Sequence, residues 1–282
     1  MTVERKLEQF LDEDVGNGDI TTDSLVDPSK SSIGHVVCKE RAIVAGIAES
    51  IILLKLVGCE GEPKVRDGQE VPVGTVILEV SGRGIDLLKV ERTLLNLLCH
   101  MSGVATATAE LVNIVKTNRG IARIACTRKT LPGLRYFEKK AVELGGGDTH
   151  RLRLDDAVLI KDNHLVLAGS ITESVRKAKA KVSFTKKIEV EATSPEQAVE
   201  AGLAGADIVL LDNMTPQDVK KSVNLLEAKK LRDRLLIEVS GGITRDNLAS
   251  YVKTGADVIS IGSITHSAKA IDMSLELHSV KK

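Results

Sequence analysis

The sequence predicts an α/β protein, an open (incomplete) C-terminal βα barrel preceded by a smaller α+β unit, and three observations point there. The length of 282 residues exceeds the usual single-domain size, so one large barrel or two separate cores is expected. Hydrophobic residues make up 43% of the chain but aromatic ones only 2%, with no Trp, so the interior must be filled by Val, Ile, Leu and Ala. From about Ile121 onward, short β-rich apolar runs alternate with longer stretches of helical period, the pattern of parallel βα units.

The elements follow in chain order. Residues 3–11 and 48–56 carry helical periodicity, and 35–44 and 75–80 read as strands. Turn chemistry at Asp67 and Gly68 and at residues 72–74 fits hairpin connections. A long helical pattern over 87–116, broken near Ser102 and Gly103, leads toward the barrel. The domain boundary is placed inside it, giving an N-terminal domain of residues 1–105 and a barrel domain of 106–282. Barrel strands are expected at 121–125, 157–160, 187–190, 207–211, 235–239 and 257–261. The helices between them include 172–180, 195–201, 216–230 and 245–254, two of them entered by Ser or Thr with Pro just inside.

Composition excludes several function classes. The 39 basic residues cancel the 39 acidic ones, so no global field recruits nucleic acid or an anionic membrane, and neither is expected as a partner. Cys38, Cys59, Cys99 and Cys126 lie far apart without zinc-site spacing, which suits free thiols in a reducing, cytoplasmic setting. The N-terminus lacks an apolar signal core, and no apolar run is read as approaching the ~18 residues of a membrane span.

Active sites of parallel βα barrels lie where the strands end, so the residue after each strand carries the functional reading. The first strand is followed by Thr127, Arg128, Lys129 and Thr130, the second by Lys161, Asp162, Asn163 and His164, and the third by Glu191. Asp212 and Asn213 end the fourth, Ser240, Gly241 and Gly242 the fifth, and Gly262 and Ser263 the sixth. Charge also segregates along the chain: residues 123–161 hold nine Lys or Arg against five acids, with His150 beside them. Residues 188–219 hold seven acids and no Lys or Arg. A mouth with one basic and one acidic wall suits an anionic substrate beside a magnesium-bound polyphosphate.

Each element has a plainer alternative. Arg128 and Lys129 could be a solvated loop, and the glycines at 145–147 a helix C-cap. One of Glu189 and Glu191 could be an outward charge or a salt-bridge partner. Asp212, after so apolar a run, is harder to dismiss, and the glycines at the last two strand ends offer unhindered N–H groups of the kind that cradle phosphate.

The ordered motifs resemble one family closely. They are Glu13-Asp14-Val15-Gly16-Asn17-Gly18-Asp19-Ile20-Thr21-Thr22, Glu91-Arg92-Thr93 with Asn96, and Ser102-Gly103-Val104-Ala105-Thr106. They continue with Thr127-Arg128-Lys129-Thr130, Pro132-Gly133, Gly145-Gly146-Gly147, His150-Arg151 and Lys161-Asp162-Asn163-His164. Leu211-Asp212-Asn213-Met214, Ser240-Gly241-Gly242-Ile243 and Thr265-His266-Ser267 complete the set, which resembles quinolinate phosphoribosyltransferase, also called nicotinate-nucleotide pyrophosphorylase (carboxylating). Thr149 stands where that family usually has Asn before the His-Arg pair.

The resemblance implies an N-terminal α/β sandwich and an open barrel. It implies a homodimer with shared active sites, or a hexamer, in which Arg92 is donated across the interface. It implies a pentosyltransferase that joins quinolinate to phosphoribosyl pyrophosphate with Mg²⁺, yielding nicotinate mononucleotide, CO₂ and pyrophosphate for de novo NAD synthesis. By the same matching, Arg92, Arg128, His150, Arg151 and Lys161 bind quinolinate, with Thr127 and Thr130 beside them, and Lys129 faces the donor. Glu191 and Asp212 meet its ribose and the metal. Ser240, Gly241 and Gly242, with Gly262, Ser263 and Ile264, bind its phosphates next to His266. Lys129, Lys161, Glu191 and Asp212 are the catalytic set. The competing readings are a same-fold transferase for another acid, molybdenum-associated or nicotinate-specific, and a non-catalytic anion-binding protein.

Overall fold

A computed structural model describes residues 2–279. The first helix, α1 (Val3–Val15), starts where the Thr2 side chain accepts from the Arg5 N–H, and α2 (Ile20–Leu25) starts where Asp19 accepts from Thr22. Side-chain oxygens here satisfy donors that a helix start leaves orphaned. Next come β1 (Ser31–Cys38), β2 (Ala42–Ile43) and α3 (Ile47–Leu56). Asp67, read from sequence as a turn residue, caps α3 from a distance by accepting from Gly46 and Ile47 at 2.8 and 2.9 Å. Then follow β3 (Glu60–Pro63), β4 (Glu70–Val71), β5 (Thr75–Arg83) and the long α4 (Gly84–Thr117).

The barrel alternates strand and helix. Its elements are β6 (Arg123–Ala125), α5 (Arg135–Leu144), β7 (Val158–Ile160), α6 (Asp162–Ala168), α7 (Ile171–Lys181), β8 (Ile188–Ala192), α8 (Pro195–Ala204) and β9 (Ile208–Asp212). It continues with α9 (Pro216–Ala228), β10 (Leu236–Ser240), α10 (Leu248–Val252), β11 (Val258–Ser260) and α11 (Ser263–His266). Ser194 and Thr215 cap α8 and α9, and Pro195 and Pro216 occupy the first turn, where a missing N–H costs nothing. The strands form one sheet, β6-β11-β10-β9-β8-β7, parallel throughout. Asp148 adds a single parallel bridge to Ala125, and no ladder joins β6 to β7 among the described residues, so the barrel is open. Val190, Val209, Leu211, Ile237, Val239 and Ile259 are fully buried, as strands of a parallel sheet covered on both faces require. Acids at the strand entrances fix the register: Asp207 accepts from Ile188 N–H and Asp257 from Ile237 N–H, each at 2.8 Å.

The last strand, β12 (Met273–Ser279), pairs antiparallel with β1 in a sheet ordered β12-β1-β5-β3. The chain therefore divides differently from the expected residues 1–105 and 106–282. One compact unit runs to Ala107 and takes in the described residues from Ala268 onward, and the other is Thr108–Ser267. The seven residue pairs between β1 and β12 draw the C-terminal segment out of the barrel unit.

Three further expectations are corrected. Residues 35–44 are not one strand, because β1 ladders with β5 and β12 whereas β2 pairs with β4 in a separate two-stranded sheet. The helix is unbroken at Ser102 and Gly103. Ser102 instead accepts from Ala45 N–H at 3.0 Å, and a Cβ at Gly103 would overlap the Lys269 carbonyl. Both residues solve close packing and do not end the helix. Finally, α4 contains an 18-residue window long and apolar enough to cross a membrane by length and composition, which the sequence reading did not register. Half of that window is buried inside the protein, and Leu94, Leu98, Met101 and Val104 are core residues of a globular interior.

The tight packing at residue 103 yields a test. Ala gains ~1 kcal/mol of helix propensity over Gly, but overpacking a backbone carbonyl costs ~1–3 kcal/mol. Gly103→Ala should therefore lower the melting temperature, and a variant melting at or above wild type contradicts the close approach.

Candidate active site

A cavity of about 270 Å³ opens at the C-terminal ends of the barrel strands, and every residue lining it belongs to the barrel unit. Its basic side starts after β6. The turn there is held by Thr127, which accepts from Lys129 N–H at 3.0 Å, and by Thr265, whose hydroxyl donates to the Lys129 carbonyl at 2.8 Å. Arg128 lines the cavity, and its Nε is buried without a hydrogen-bond partner. A buried donor left unpaired costs ~1–3 kcal/mol, more when charged. An anion in the cavity is the kind of group that removes that cost.

The corner at residues 148–151 supplies His150 and Arg151. His150 has φ of 50°, the left-handed region, stabilised by its N–H donating to the Asp148 carboxylate at 2.8 Å. Its Nε2 meets two buried carboxylates, Glu238 at 3.2 Å and Glu189 at 3.5 Å. Burial opposes charge on the ring, but hydrogen bonds from Glu189 and Glu238 outweigh it and lift the pKa from 6.5 to about 10. The Arg151 backbone N–H, which reaches Nδ1 at 2.7 Å, favours the neutral ring and works against this pull. With two carboxylates against one lone-pair contact, the direction is upward. Burial pushes the Glu189 carboxyl up, with His150 drawing it back. Arg151 donates to the Ala157 carbonyl at 3.3 Å. Burial, and then the like charge of Arg128, pull its pKa below the ordinary guanidinium value.

The acidic side begins at β8. Lys161, at the start of α6, donates to Glu191 at 2.7 Å, and His164 orients the Lys161 backbone by accepting its N–H at 3.0 Å. Asp212 ends β9 and accepts from Asn213 at 2.5 Å. The two carboxylates thus stand at neighbouring strand ends, partly exposed, an oxygen-only pair of the kind that holds Mg²⁺ together with substrate oxygens. Ser240 closes the rim, its hydroxyl reaching the Ser260 carbonyl at 3.4 Å.

The structure thus brings Thr127, Arg128, Lys129, His150, Arg151, Lys161, Glu191, Asp212 and Ser240 around one cavity. Thr130, Gly241, Gly242, Gly262, Ser263, Ile264 and His266 do not line it. Thr130 accepts from Arg135 at 3.1 Å, and Ile264 is buried in the core. Gly241, with φ of 92°, sits where a Cβ would overlap Asn213, so it shapes the Asp212 turn. A Cβ at Gly262 would stand 3.1 Å from the Lys129 side chain and 3.4 Å from Thr127, so that glycine leaves room beside the cavity. His266 is exposed and contacts Ser267 at 2.6 Å. Arg92 lies in the other unit, exposed on α4.

Glu238 also lines the cavity, and sequence reasoning missed it. The signal was there, an acid inside the apolar strand 235–239, in the manner of Glu189 within β8. Glu189 and Glu191 both face inward, so neither is the outward charge weighed as an alternative.

The raised His150 pKa has a stability consequence. A group that holds its proton more tightly folded than unfolded stabilises fully below its unfolded value, 6.5, and loses this as pH rises through about 10. His150→Gln strands two buried carboxylates and should cost ~3–5 kcal/mol at neutral pH. Denaturant melts should show the gap between wild type and variant narrowing toward pH 10, and a gap constant with pH would refute a charged His150.

Comparisons with known proteins identify the family of the chain. Residues 19–102 match the N-terminal domain, and residues 104–276 the C-terminal domain, of quinolinate phosphoribosyl transferase. The chain is 46% identical, over 98% of its length and 99% of the relative's, to a probable nicotinate-nucleotide pyrophosphorylase [carboxylating] of Methanothermobacter thermautotrophicus. It is 38% identical to the Homo sapiens nicotinate-nucleotide pyrophosphorylase [carboxylating], over 90% and 85% of the two chains. The solved nicotinate-nucleotide pyrophosphorylase of Francisella tularensis superposes with a TM-score of 0.91 at 37% identity, covering 98% of this chain and 96% of that one. NadC from Streptococcus pyogenes gives 0.92 at 34%, with 99% and 97% covered. Two family domains in order, matched along nearly the whole chain, make this protein a member of the quinolinate phosphoribosyl transferase family.

Proposed function

We propose that this chain is a pentosyltransferase that moves the phosphoribosyl group of phosphoribosyl pyrophosphate to quinolinate. The products are nicotinate mononucleotide, CO₂ and pyrophosphate, in de novo NAD synthesis. The observation that carries the reading is one cavity lined by the cations Arg128, Arg151 and Lys161 together with the carboxylates Glu191 and Asp212. Quinolinate brings two carboxylates, for which guanidinium forks are suited. Pairing with them would relieve both the Arg128–Arg151 repulsion and the unpartnered Arg128 Nε.

The pyridine nitrogen attacks the anomeric carbon as the bond to pyrophosphate breaks, through an oxocarbenium-like transition state comparable to that of glycoside cleavage. The C2 carboxylate then leaves as CO₂, its electron pair stabilised at C2 by the N-alkylated ring, and a proton taken up from solvent at C2 completes nicotinate mononucleotide. The protein supplies no nucleophile. Its residues hold the two reactants in line, which contributes on the order of 7–11 kcal/mol. Lys129 and Lys161 offset charge developing on the leaving group. Glu191 and Asp212 would hold Mg²⁺, which when bound neutralises the pyrophosphate oxygens.

The same reading makes the working form a homodimer, or a hexamer, with Arg92 completing a partner's mouth. The exposure of Arg92, outside the unit that forms the cavity, supports this. It also places the enzyme in the cytoplasm, in keeping with four free cysteines.

The decisive assay supplies quinolinate, phosphoribosyl pyrophosphate and Mg²⁺ and measures CO₂ release. Release with quinolinate but no product with nicotinate is expected, and binding without turnover would leave only an anion-binding protein. Arg128→Ala and Arg151→Ala each remove a charge-assisted contact of ~1.5–3 kcal/mol and should raise the KM for quinolinate accordingly with the fold intact. Mixing inactive Arg92→Ala and Asp212→Asn subunits should restore part of the activity, and no recovery sinks the shared site.

A further inference from the structure

Lys139 lies on α5, is 1% exposed, and does not line the cavity. A buried ammonium is costly unless its hydrogens are used. Burial duly pulls its pKa down. It meets the Cys126 side chain, and two of its hydrogen bonds go to the main chain, to the carbonyl of Thr149 and, at 2.8 Å, to that of Arg151. These are the two carbonyls on either side of His150.

The rest of that corner is equally committed. Asp148 N–H donates to Ile124 at 2.7 Å, and the Asp148 carbonyl accepts from Cys126 at 3.1 Å. The Cys126 thiol donates to the Thr149 carbonyl at 3.3 Å, and the Thr149 hydroxyl to the His150 carbonyl at 3.2 Å. A non-glycine residue in the left-handed region, as His150 is, costs ~1–3 kcal/mol and persists only where its surroundings over-determine it. One ammonium bridging residues 149 and 151 joins the Asp148 carboxylate as a charge-assisted restraint on this turn, and hydrogen bonds to charged groups are about twice as strong as neutral ones.

We propose that Lys139 is a positioning residue for the acid-binding end of the pocket. Its buried ammonium clamps the main chain around His150 and thereby fixes the direction in which His150 and Arg151 enter the cavity. The proposal rests on the quinolinate reading given above. The same ammonium adds positive charge behind Arg128, whose field it shares.

The test is a double-mutant cycle on the full chain. Lys139→Met should raise the quinolinate KM ~10- to 100-fold, with a smaller change in kcat and none in the KM for phosphoribosyl pyrophosphate. Combined with Arg151→Ala, the loss should fall well short of the product of the two single losses, since much of the Lys139 effect passes through Arg151. A quinolinate KM equal to wild type, or losses that multiply in the double variant, would overturn the proposal. Should Lys139→Met not fold, Lys139→Gln, which keeps one donor, carries the same cycle with a smaller expected loss. Wild-type protein inert toward quinolinate would instead defeat the substrate reading. The clamp is then judged by amide hydrogen exchange, slow at residues 150 and 151 in wild type and fast in the variant if it holds, unchanged if it does not.

Discussion

Like charges gathered out of water at one end of a sheet repel each other and lose solvation, and the rest of the mouth is arranged around that penalty. Arg128 and Arg151 face one cavity, and burial together with their mutual repulsion weakens the hold of Arg151 on its proton. Beneath them lie Glu189 and Glu238, joined by the His150 ring. The pocket is thus held together by an internal set of counter-ions. A doubly anionic ligand adds to that balance without having to create it, which is preorganisation in the electrostatic sense.

The scaffold makes this possible because a parallel sheet separates the tasks of its two ends. Asp207 and Asp257 stitch strand entrances to neighbouring backbone, and the strand interiors are mostly buried aliphatic side chains, with Glu189 and Glu238 as the acids among them. At the exits, Glu191, Asp212 and Ser240 meet the cavity. Rigidity at one end and chemistry at the other follow from the same chain direction.

Much of this was legible in the sequence. The barrel strands could be read because buried parallel strands are continuous apolar runs, and five of the six runs broke at a polar residue that lines the mouth, the sixth ending at Gly262 and Ser263 outside it. What could not be read depended on distant contacts. Ser102 and Gly103 look like helix breakers until Ala45 and Lys269 are seen against them. The phosphate-cradle glycines carry no side chain, so nothing in the sequence tells whether Gly241 shapes a turn or touches a ligand. Glu238 was overlooked because a single acid within a strand is a common surface feature, and its inward aim depends on pairing between β9 and β11. The C-terminal strand was assigned to the barrel because its partner, β1, lies more than two hundred residues upstream.

That last pairing has a consequence for how the protein comes into being. Since β12 is an integral edge of the first sheet, that sheet is completed only after the whole barrel has been synthesised. The barrel, continuous in the chain, can form as each βα unit emerges, while the unfinished sheet leaves the β1 edge unpaired until β12 follows. An unpaired strand edge is a template for stray association. The nascent polypeptide is therefore most exposed to misassembly in the interval between synthesis of β1 and arrival of β12.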